Sequence, residues 1–168
     1  MLNTVYQLVR PRQFEVVFKD ITMDDKHVIV HPTHLSICNA DQRYYQGLRA
    51  EAVLKKKLPM ALIHEGIGRV IYDPTGHFEQ GTLVVMIPNT PVEQDEIIAE
   101  NYLRSSKFRA SGFDGFMQEY VSMEPDRLVV LPEDINLSVA AFTEIVSVSY
   151  HAIQRFLRFS HERRNVIG

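Results

Sequence analysis

The sequence predicts a mainly β fold with some α-helix, arranged as a barrel or a sandwich. Before Pro132, short segments rich in β-branched and aromatic residues alternate with turns marked by Pro, Gly and Asp. Many short strands with regular turn signals are typical of these two architectures. After Pro132 the pattern changes to that of a helix, which indicates that the chain leaves the β-rich unit there.

Six segments of the β-rich part have the composition and length of strands. They are Gln13–Lys19, His27–His31, Ile63–Tyr72, Gly81–Ile87, Phe116–Met123 and Arg127–Leu131. Two stretches interrupt them: Asn39–Lys57, which is irregular and partly helical, and the long insertion Pro88–Gly115, in which we expect a helix over Glu93–Lys107. Connections of that length are usually functional or have structure of their own.

The last part of the chain predicts a helix and then a new strand. Asn136 can cap a helix, and Val139–Leu157 has the length and apolar periodicity of one. The turn-like residues after it lead into a strand predicted at Asn165–Gly168.

Composition and charge narrow the class of protein. The net charge of −3 and the pI near 6.2 do not indicate a nucleic acid or an anionic membrane as partner. The N-terminus lacks the features of a signal peptide, and no apolar run reaches the roughly 20 residues that span a bilayer. We expect a cytoplasmic protein. Its one cysteine, Cys38, excludes an intrachain disulfide and is either a buried, inert thiol or a ligand.

Three residue types that bind zinc occur in three separate segments. Cys38, His64 and Glu144 offer a thiolate, an imidazole and a carboxylate, which are the ligands that zinc prefers in tetrahedral sites. A catalytic zinc site keeps one position open for water or substrate. The three residues are far apart in sequence, so their spacing alone does not establish a site.

The order and the surroundings of these segments resemble the medium-chain, zinc-dependent alcohol dehydrogenase family, particularly its polyol dehydrogenase branch. The matching motifs are Ile37–Gly47, His64-Glu65-Gly66 followed by Gly68 and Val70, Gly112–Phe116 with Glu119-Tyr120-Val121, and Glu144 with Ser147-Val148 and His151-Ala152. No single motif is specific, but the ordered set is. Gly66 and Gly68 lie inside a predicted strand, so they indicate close backbone packing and not a nucleotide-binding loop.

The resemblance implies a GroES-like β-barrel catalytic domain at residues 1–137. The helix at 138–158 would then cross into a Rossmann domain whose first strand begins within 159–168. The Gly-rich loop that receives the pyrophosphate of the cofactor follows such a strand. Because that loop is absent from the sequence, cofactor-binding residues stay unknown, and we expect these 168 residues alone to be inactive.

The resemblance also implies the catalytic and metal-binding residues. Cys38 and His64 match zinc ligands, and Glu65 and Glu144 match two carboxylates of the polyol branch, with the direct ligand and the water-holding group left open between them. Glu144 has the alternative of an ordinary carboxylate at a helix start, and Glu65 that of a supporting group. Asp41 would orient the ring of His64 from outside the ligand set.

Two departures from the family pattern affect these expectations. Ala40 stands where many relatives have a Ser or Thr hydroxyl that relays a proton, so the route of the proton stays open. Pro88–Gly115 contains no cysteine, whereas relatives often hold a structural zinc there through four cysteines. We therefore expect one catalytic zinc and no structural zinc.

The implied reaction transfers a hydride between a nicotinamide and a carbonyl carbon. Leu54–Gly68 and Arg43–Tyr45 most resemble the branch that reduces ribulose 5-phosphate to ribitol 5-phosphate in bacterial teichoic-acid or capsule synthesis, normally with NADPH. Arg43 would contact the substrate phosphate or form an exposed salt bridge, and Tyr44 would line the substrate pocket. Lys55–Lys57 predicts a solvated face, with a phosphate contact as the alternative.

The expected partners are therefore a phosphorylated sugar and, in a full-length parent, a second copy of the chain as a homodimer. Two other classes of protein stay open at the level of sequence. One is a zinc-free quinone reductase relative, which the joint presence of Cys38, His64 and Glu144 disfavours. The other is a GroES-like binding module without catalysis, which would not need these ligands.

Overall fold

The computed structural model describes residues 1–96 and 103–166. It is built mostly from strands with few helices, which confirms the predicted fold class. The strands are β1 Leu2–Arg10, β2 Gln13–Asp20, β3 Val28–Ser36, β4 Met60–Ala61, β5 Glu65–Tyr72, β6 Leu83–Met86, β7 Asn89–Thr90, β8 Lys107–Phe108, β9 Val121–Met123 and β10 Leu128–Val130. The helices are α1 Asn39–Tyr45, α2 Glu51–Lys57, α3 Leu137–Ala140 and α4 Thr143–Val166.

The strands pair antiparallel throughout the described sheets. Five of them form one sheet in the order β10-β6-β5-β3-β9, three form a second in the order β2-β1-β4, and β7 pairs with β8. A single bridge between Val5 and Gln118 connects β1 to the segment before β9. The main apolar core lies against the five-stranded sheet and includes Val30, Val84 and Phe116, all fully buried.

Close contact between β3 and β5 depends on two glycines, as the sequence predicts. A Cβ atom on Gly66 would lie 2.5 Å from the Leu35 side chain, and one on Gly68 would lie 2.6 Å from the carbonyl oxygen of His31. The Gly68 contact is with backbone and leaves no room for a side chain, whereas a side chain at Gly66 would require Leu35 to move. The approach matters for the site because β5 begins at Glu65, immediately after His64.

The first strand, β1, is absent from the set of predicted strands. Its inward positions carry polar residues as well as apolar ones: Asn3 and Gln7 are buried beside Val5 and Leu8. Asn3 donates a hydrogen bond to Gln118 and Gln7 donates one to Asp114, so the buried amides are satisfied by partners far along the chain. Alternation of apolar and polar residues therefore fails as a signal for this strand.

The prediction of a helix over Glu93–Lys107 is wrong for the residues that the structure describes. Residues 93–96 and 103–106 are not helical, and Lys107 belongs to β8; residues 97–102 lie outside the described part. Asn89 pairs with Phe108, and Thr90 pairs with Lys107. Lys107 thus belongs to a strand that pairs with β7, which a helix ending at Lys107 would prevent. The strand predicted at Phe116–Met123 is shorter than expected and begins at Val121.

The predicted connecting helix is present but divided differently. The Asn136 side chain accepts a hydrogen bond from the backbone N–H of Val139 at 3.2 Å and caps the short α3, and α4 follows from Thr143. The strand predicted from Asn165 is wrong at Asn165 and Val166, which continue α4, while residues 167–168 lie outside the described part. No Gly or Pro interrupts 143–166, so nothing local ends the helix at 158. The unit boundaries stay predictions.

Among the described residues, no helix combines the length and the apolar character that crossing a membrane requires.

Candidate metal centre

Cys38 occupies the cap position at the start of α1, immediately after the loop that follows β3. Its Sγ atom accepts a hydrogen bond from the backbone N–H of Ala40 at 3.3 Å. The Asp41 carboxylate returns the contact and accepts from the backbone N–H of Cys38 at 3.3 Å. Because the sulfur and the carboxylate satisfy N–H groups that every helix start exposes, the cap fixes the position of the thiol.

Asp41 also connects Cys38 to the segment that carries His64. The buried Asp41 accepts a hydrogen bond from the backbone N–H of Ile63 at 2.9 Å through its second carboxylate oxygen. Ile63 has a φ of 70°, a left-handed conformation that β-branched residues rarely adopt. Surrounding contacts must hold such a residue in place. The role predicted for Asp41, orientation of the His64 ring, stays a prediction; its described hydrogen bonds are to Cys38 and to the backbone N–H of Ile63, the residue before His64.

The loop Asp114–Met117 holds the same segment from the other side. Gly115 donates a backbone hydrogen bond to Ala61 at 2.8 Å, and Phe116 donates one to Ile63 at 2.6 Å. A Cβ atom on Gly115 would lie 2.2 Å from the Ile63 carbonyl oxygen, so only glycine allows this approach. Asp114 adds a carboxylate bond to the Ala61 N–H at 2.7 Å. His64 therefore follows a segment that is fixed on both sides.

These elements bring four potential ligands together. One ligand atom each from Cys38, Asp41, His64 and Glu65 lies within 4.8 Å of all the others. Cys38 Sγ is 3.8 Å from His64 Nε2 and 3.3 Å from an Asp41 oxygen, and His64 Nε2 is 3.2 Å from Glu65 Oε1. A thiol, an imidazole and carboxylates at these separations match the donor types and the compactness of a zinc site.

The electrostatics of the cluster also fit a cation. Burial raises the pKa of the Cys38 thiol to about 12, raises the pKa of Glu65 to about 7 and lowers the pKa of His64. Glu65 Oε2 is buried and has no hydrogen-bond partner among the described residues, while the ring nitrogen of His64 within the cluster is Nε2. Buried polar atoms are normally paired, and a bound cation would favour the deprotonated thiol and carboxylate that the surroundings disfavour.

Glu144 lies apart from this four-residue cluster. It stands in the first turn of α4, is half-buried and lines a pocket of about 510 Å³. Burial raises the pKa of Glu144, and its negative charge contributes to the raised pKa of Glu65, so the two carboxylates interact electrostatically. The pocket also contains Phe108, whose ring packs edge-on against the His64 ring with centroids 5.0 Å apart. Glu144 therefore faces a pocket that adjoins the cluster.

The two residues predicted to contact substrate lie elsewhere. Tyr44 is buried among Leu8, Met60 and their neighbours, and the Arg49 guanidinium lies 4.9 Å from its ring centre. Arg43 is exposed on α1. Neither side chain lines the pocket beside Glu144.

The structure adds residues to the site that the sequence did not indicate. Phe108 comes from a segment predicted to follow a helix, and Ile63 gives no sign in the sequence of its left-handed backbone. Gly115 is the exception. It belongs to the family-matching motif Gly112–Phe116, and its Asp-Gly pair is a turn signal that could have indicated its role.

An antiparallel β domain that gathers a thiol, an imidazole and carboxylates beside a pocket defines the catalytic-domain class of zinc-dependent alcohol dehydrogenases. Residues 24–133 match the family model described as the alcohol dehydrogenase GroES-like domain. The chain therefore belongs to that family, which confirms the resemblance drawn from the motifs.

Two curated relatives are similar to this chain over its whole length. Over the whole chain it is 61% identical to the ribulose-5-phosphate reductase of Bacillus spizizenii and 64% identical to ribulose-5-phosphate reductase 2 of Staphylococcus aureus. It covers 49% of each, so the chain spans about half the length of these curated relatives.

Solved structures give the same relationship. The crystal structure of S. aureus TarJ in complex with NADPH matches with a TM-score of 0.76 and 49% identity, over 95% of this chain and 43% of that one. Escherichia coli L-idonate 5-dehydrogenase matches with a TM-score of 0.82 and 26% identity, over 90% of this chain and 46% of that one.

Proposed function

We propose that this chain is the zinc-binding half of a nicotinamide-dependent polyol dehydrogenase, and that the full-length protein reduces ribulose 5-phosphate to ribitol 5-phosphate. The observation that carries the proposal is the cluster of Cys38, Asp41, His64 and Glu65 within 4.8 Å, next to the pocket that Glu144 lines. The substrate assignment is supported by relatives named ribulose-5-phosphate reductase at 61% and 64% identity.

Cys38, His64 and Glu65 would hold one zinc, with Asp41 positioning the first two through the bonds described above. Zinc in such a site supplies Lewis acidity toward a carbonyl oxygen, and a nicotinamide supplies the hydride. We propose NADPH as that nicotinamide because the TarJ structure is a complex with NADPH.

The remaining residues shape the space in which the sugar would react. Val85, Ile87 and Phe108 give the pocket apolar walls, which exclude water from the reacting groups. Glu144 is the carboxylate among the residues that line this pocket, and its raised pKa favours the protonated form. Because Ala40 has no hydroxyl, Glu144 is our candidate for the group that passes the proton.

The test is an assay of the full-length, zinc-loaded protein with ribulose 5-phosphate and with ribulose, each with NADPH and NADH. We expect the highest kcat/KM with ribulose 5-phosphate and NADPH. A preference for unphosphorylated ribulose would contradict the substrate assignment. Undiminished turnover after replacement of Cys38 by Ser and removal of zinc would contradict the zinc mechanism and favour a zinc-free reductase.

A further inference from the structure

A second pocket, lined by basic residues, lies next to the pocket of the metal centre. It has a volume of about 630 Å³, and its charged lining consists of Lys57, Lys107, Arg109 and Glu124. Phe108 lines both this pocket and the pocket beside Glu144, and its ring contacts His64. The basic pocket therefore adjoins the pocket beside Glu144 across one aromatic side chain.

The three cations of this pocket are not equivalent. Arg109 donates to the carbonyl oxygen of Ser122 at 2.6 Å and interacts with the negative charges of Glu124 and Asp114. These two carboxylates thus offset part of the Arg109 charge, although Asp114 also pairs with Lys19. Lys57 and Lys107 form none of the described salt bridges. The pocket therefore keeps a positive charge that a ligand can use.

Lys57 differs from the lysines beside it on α2. Lys55 is exposed and pairs with Glu51 on the same helix at 2.7 Å. Lys57 is turned inward and donates to the carbonyl oxygen and to the hydroxyl of Ser111, both at 2.7 Å. Burial and the like charges of Lys56 and Arg49 lower the pKa of Lys57. Two protein acceptors thus hold an ammonium group in a crowded positive region, with its third N–H available for an anion.

We propose that Lys57 and Lys107 form the subsite that binds the phosphate of a phosphorylated sugar, with the carbon chain passing beside Phe108 toward the metal centre. The proposal rests on the proposed function and deepens it. A phosphate accepts charge-assisted hydrogen bonds from lysine, and Ser111 holds one of the two lysines in place beforehand. It also moves the phosphate contact away from the exposed Arg43.

The experiment compares Lys57→Ala with Lys55→Ala in the full-length, zinc-loaded protein. The quantity is the ratio of kcat/KM for ribulose 5-phosphate to kcat/KM for ribulose. We expect Lys57→Ala to lower this ratio by about tenfold or more, since a hydrogen bond to a charged group is lost, and Lys55→Ala to leave it unchanged. Loss of folding would lower both rates together and leave the ratio intact, so an unchanged ratio in folded Lys57→Ala overturns the proposal.

A second measurement keeps the subsite testable if the wild type does not prefer ribulose 5-phosphate. Binding of inorganic phosphate can be followed by ³¹P NMR in the wild type and in the two variants. Weaker phosphate binding in Lys57→Ala than in Lys55→Ala supports the subsite even where the substrate assignment fails. Equal binding in both variants overturns the subsite and leaves the zinc dehydrogenase proposal standing.

Discussion

The two sides of the candidate metal centre are held in very different ways. Cys38, His64 and Glu65 lie on segments that hydrogen bonds from Asp41 and from the Gly115 loop tie to one another. Glu144 lies in the first turn of α4, and the side chains of residues 146–158 of that helix are exposed. One side of the centre is therefore preorganised within this domain, whereas the position of the other side depends on how α4 packs.

The largest expected effect is on zinc content, which should distinguish the His64 side of the metal centre from the Glu144 side. His64→Ala removes a ligand from the preorganised cluster, so we expect zinc content to fall from near one per chain to less than about a tenth. Glu144→Ala should leave zinc content near one per chain and act mainly on turnover. Metal analysis of both variants after dialysis checks this, with His77→Ala, an exposed loop histidine, as control. Equal zinc loss in the two principal variants would contradict the comparison.

Replacing Asp41 should loosen the preorganised side without removing a ligand of our proposed set. Its two oxygens accept from Cys38 and Ile63, and an asparagine would present one donor where an acceptor is needed. We expect Asp41→Asn to weaken zinc affinity by about 10–100-fold, as supporting groups at metal sites do. Competition with a zinc chelator measures the change. An affinity equal to that of the wild type would show that Asp41 positions neither ligand.

A smaller effect is expected from the loop that backs His64. Gly115→Ala places a methyl group against the Ile63 carbonyl oxygen, and we expect a loss of about 1–3 kcal/mol in the free energy of unfolding. The matched control is Gly76→Ala, where the added methyl meets no atom within 4 Å but the φ of 75° is strained. Denaturant unfolding measures the stability of both variants, and the visible absorption spectrum of the cobalt-substituted proteins reports the geometry of the metal site. Only Gly115→Ala should change the cobalt spectrum; identical spectra would remove the loop from the site.

The sequence predicts the ligand residues of the site better than it predicts the contacts that hold them. The order of the motifs indicated Cys38, His64, Glu65 and Asp41, because a characteristic order of ligand types can be recognised in a sequence without knowing how the chain packs. The left-handed Ile63 and the contact of Phe108 with His64 are set by long-range packing, which no local pattern encodes. The same limit applies to β1, whose buried amides find their partners more than a hundred residues away.

A last, separate effect concerns the pH dependence of stability in the zinc-depleted protein. Folding raises the pKa of Glu65 from 4.5 to about 7, so the folded state binds more protons than the unfolded state within that window. The contribution of Glu65 to stability is therefore present at low pH and is lost as pH rises from about 4.5 to 7. Glu65→Gln should flatten the fall in Tm across this range. A fall in Tm as steep as in the wild type would show that Glu65 is not the group whose pKa folding raises.

X-ray absorption at the zinc edge of the full-length protein is the decisive measurement, because it identifies the atoms bound to the metal. We predict one zinc per chain with a single sulfur neighbour at about 2.3 Å and the remaining neighbours nitrogen or oxygen. In Cys38→Ser the sulfur signal should disappear. A zinc without a sulfur neighbour in the wild type, or a sulfur signal that survives the substitution, would contradict a metal centre built on Cys38 and His64.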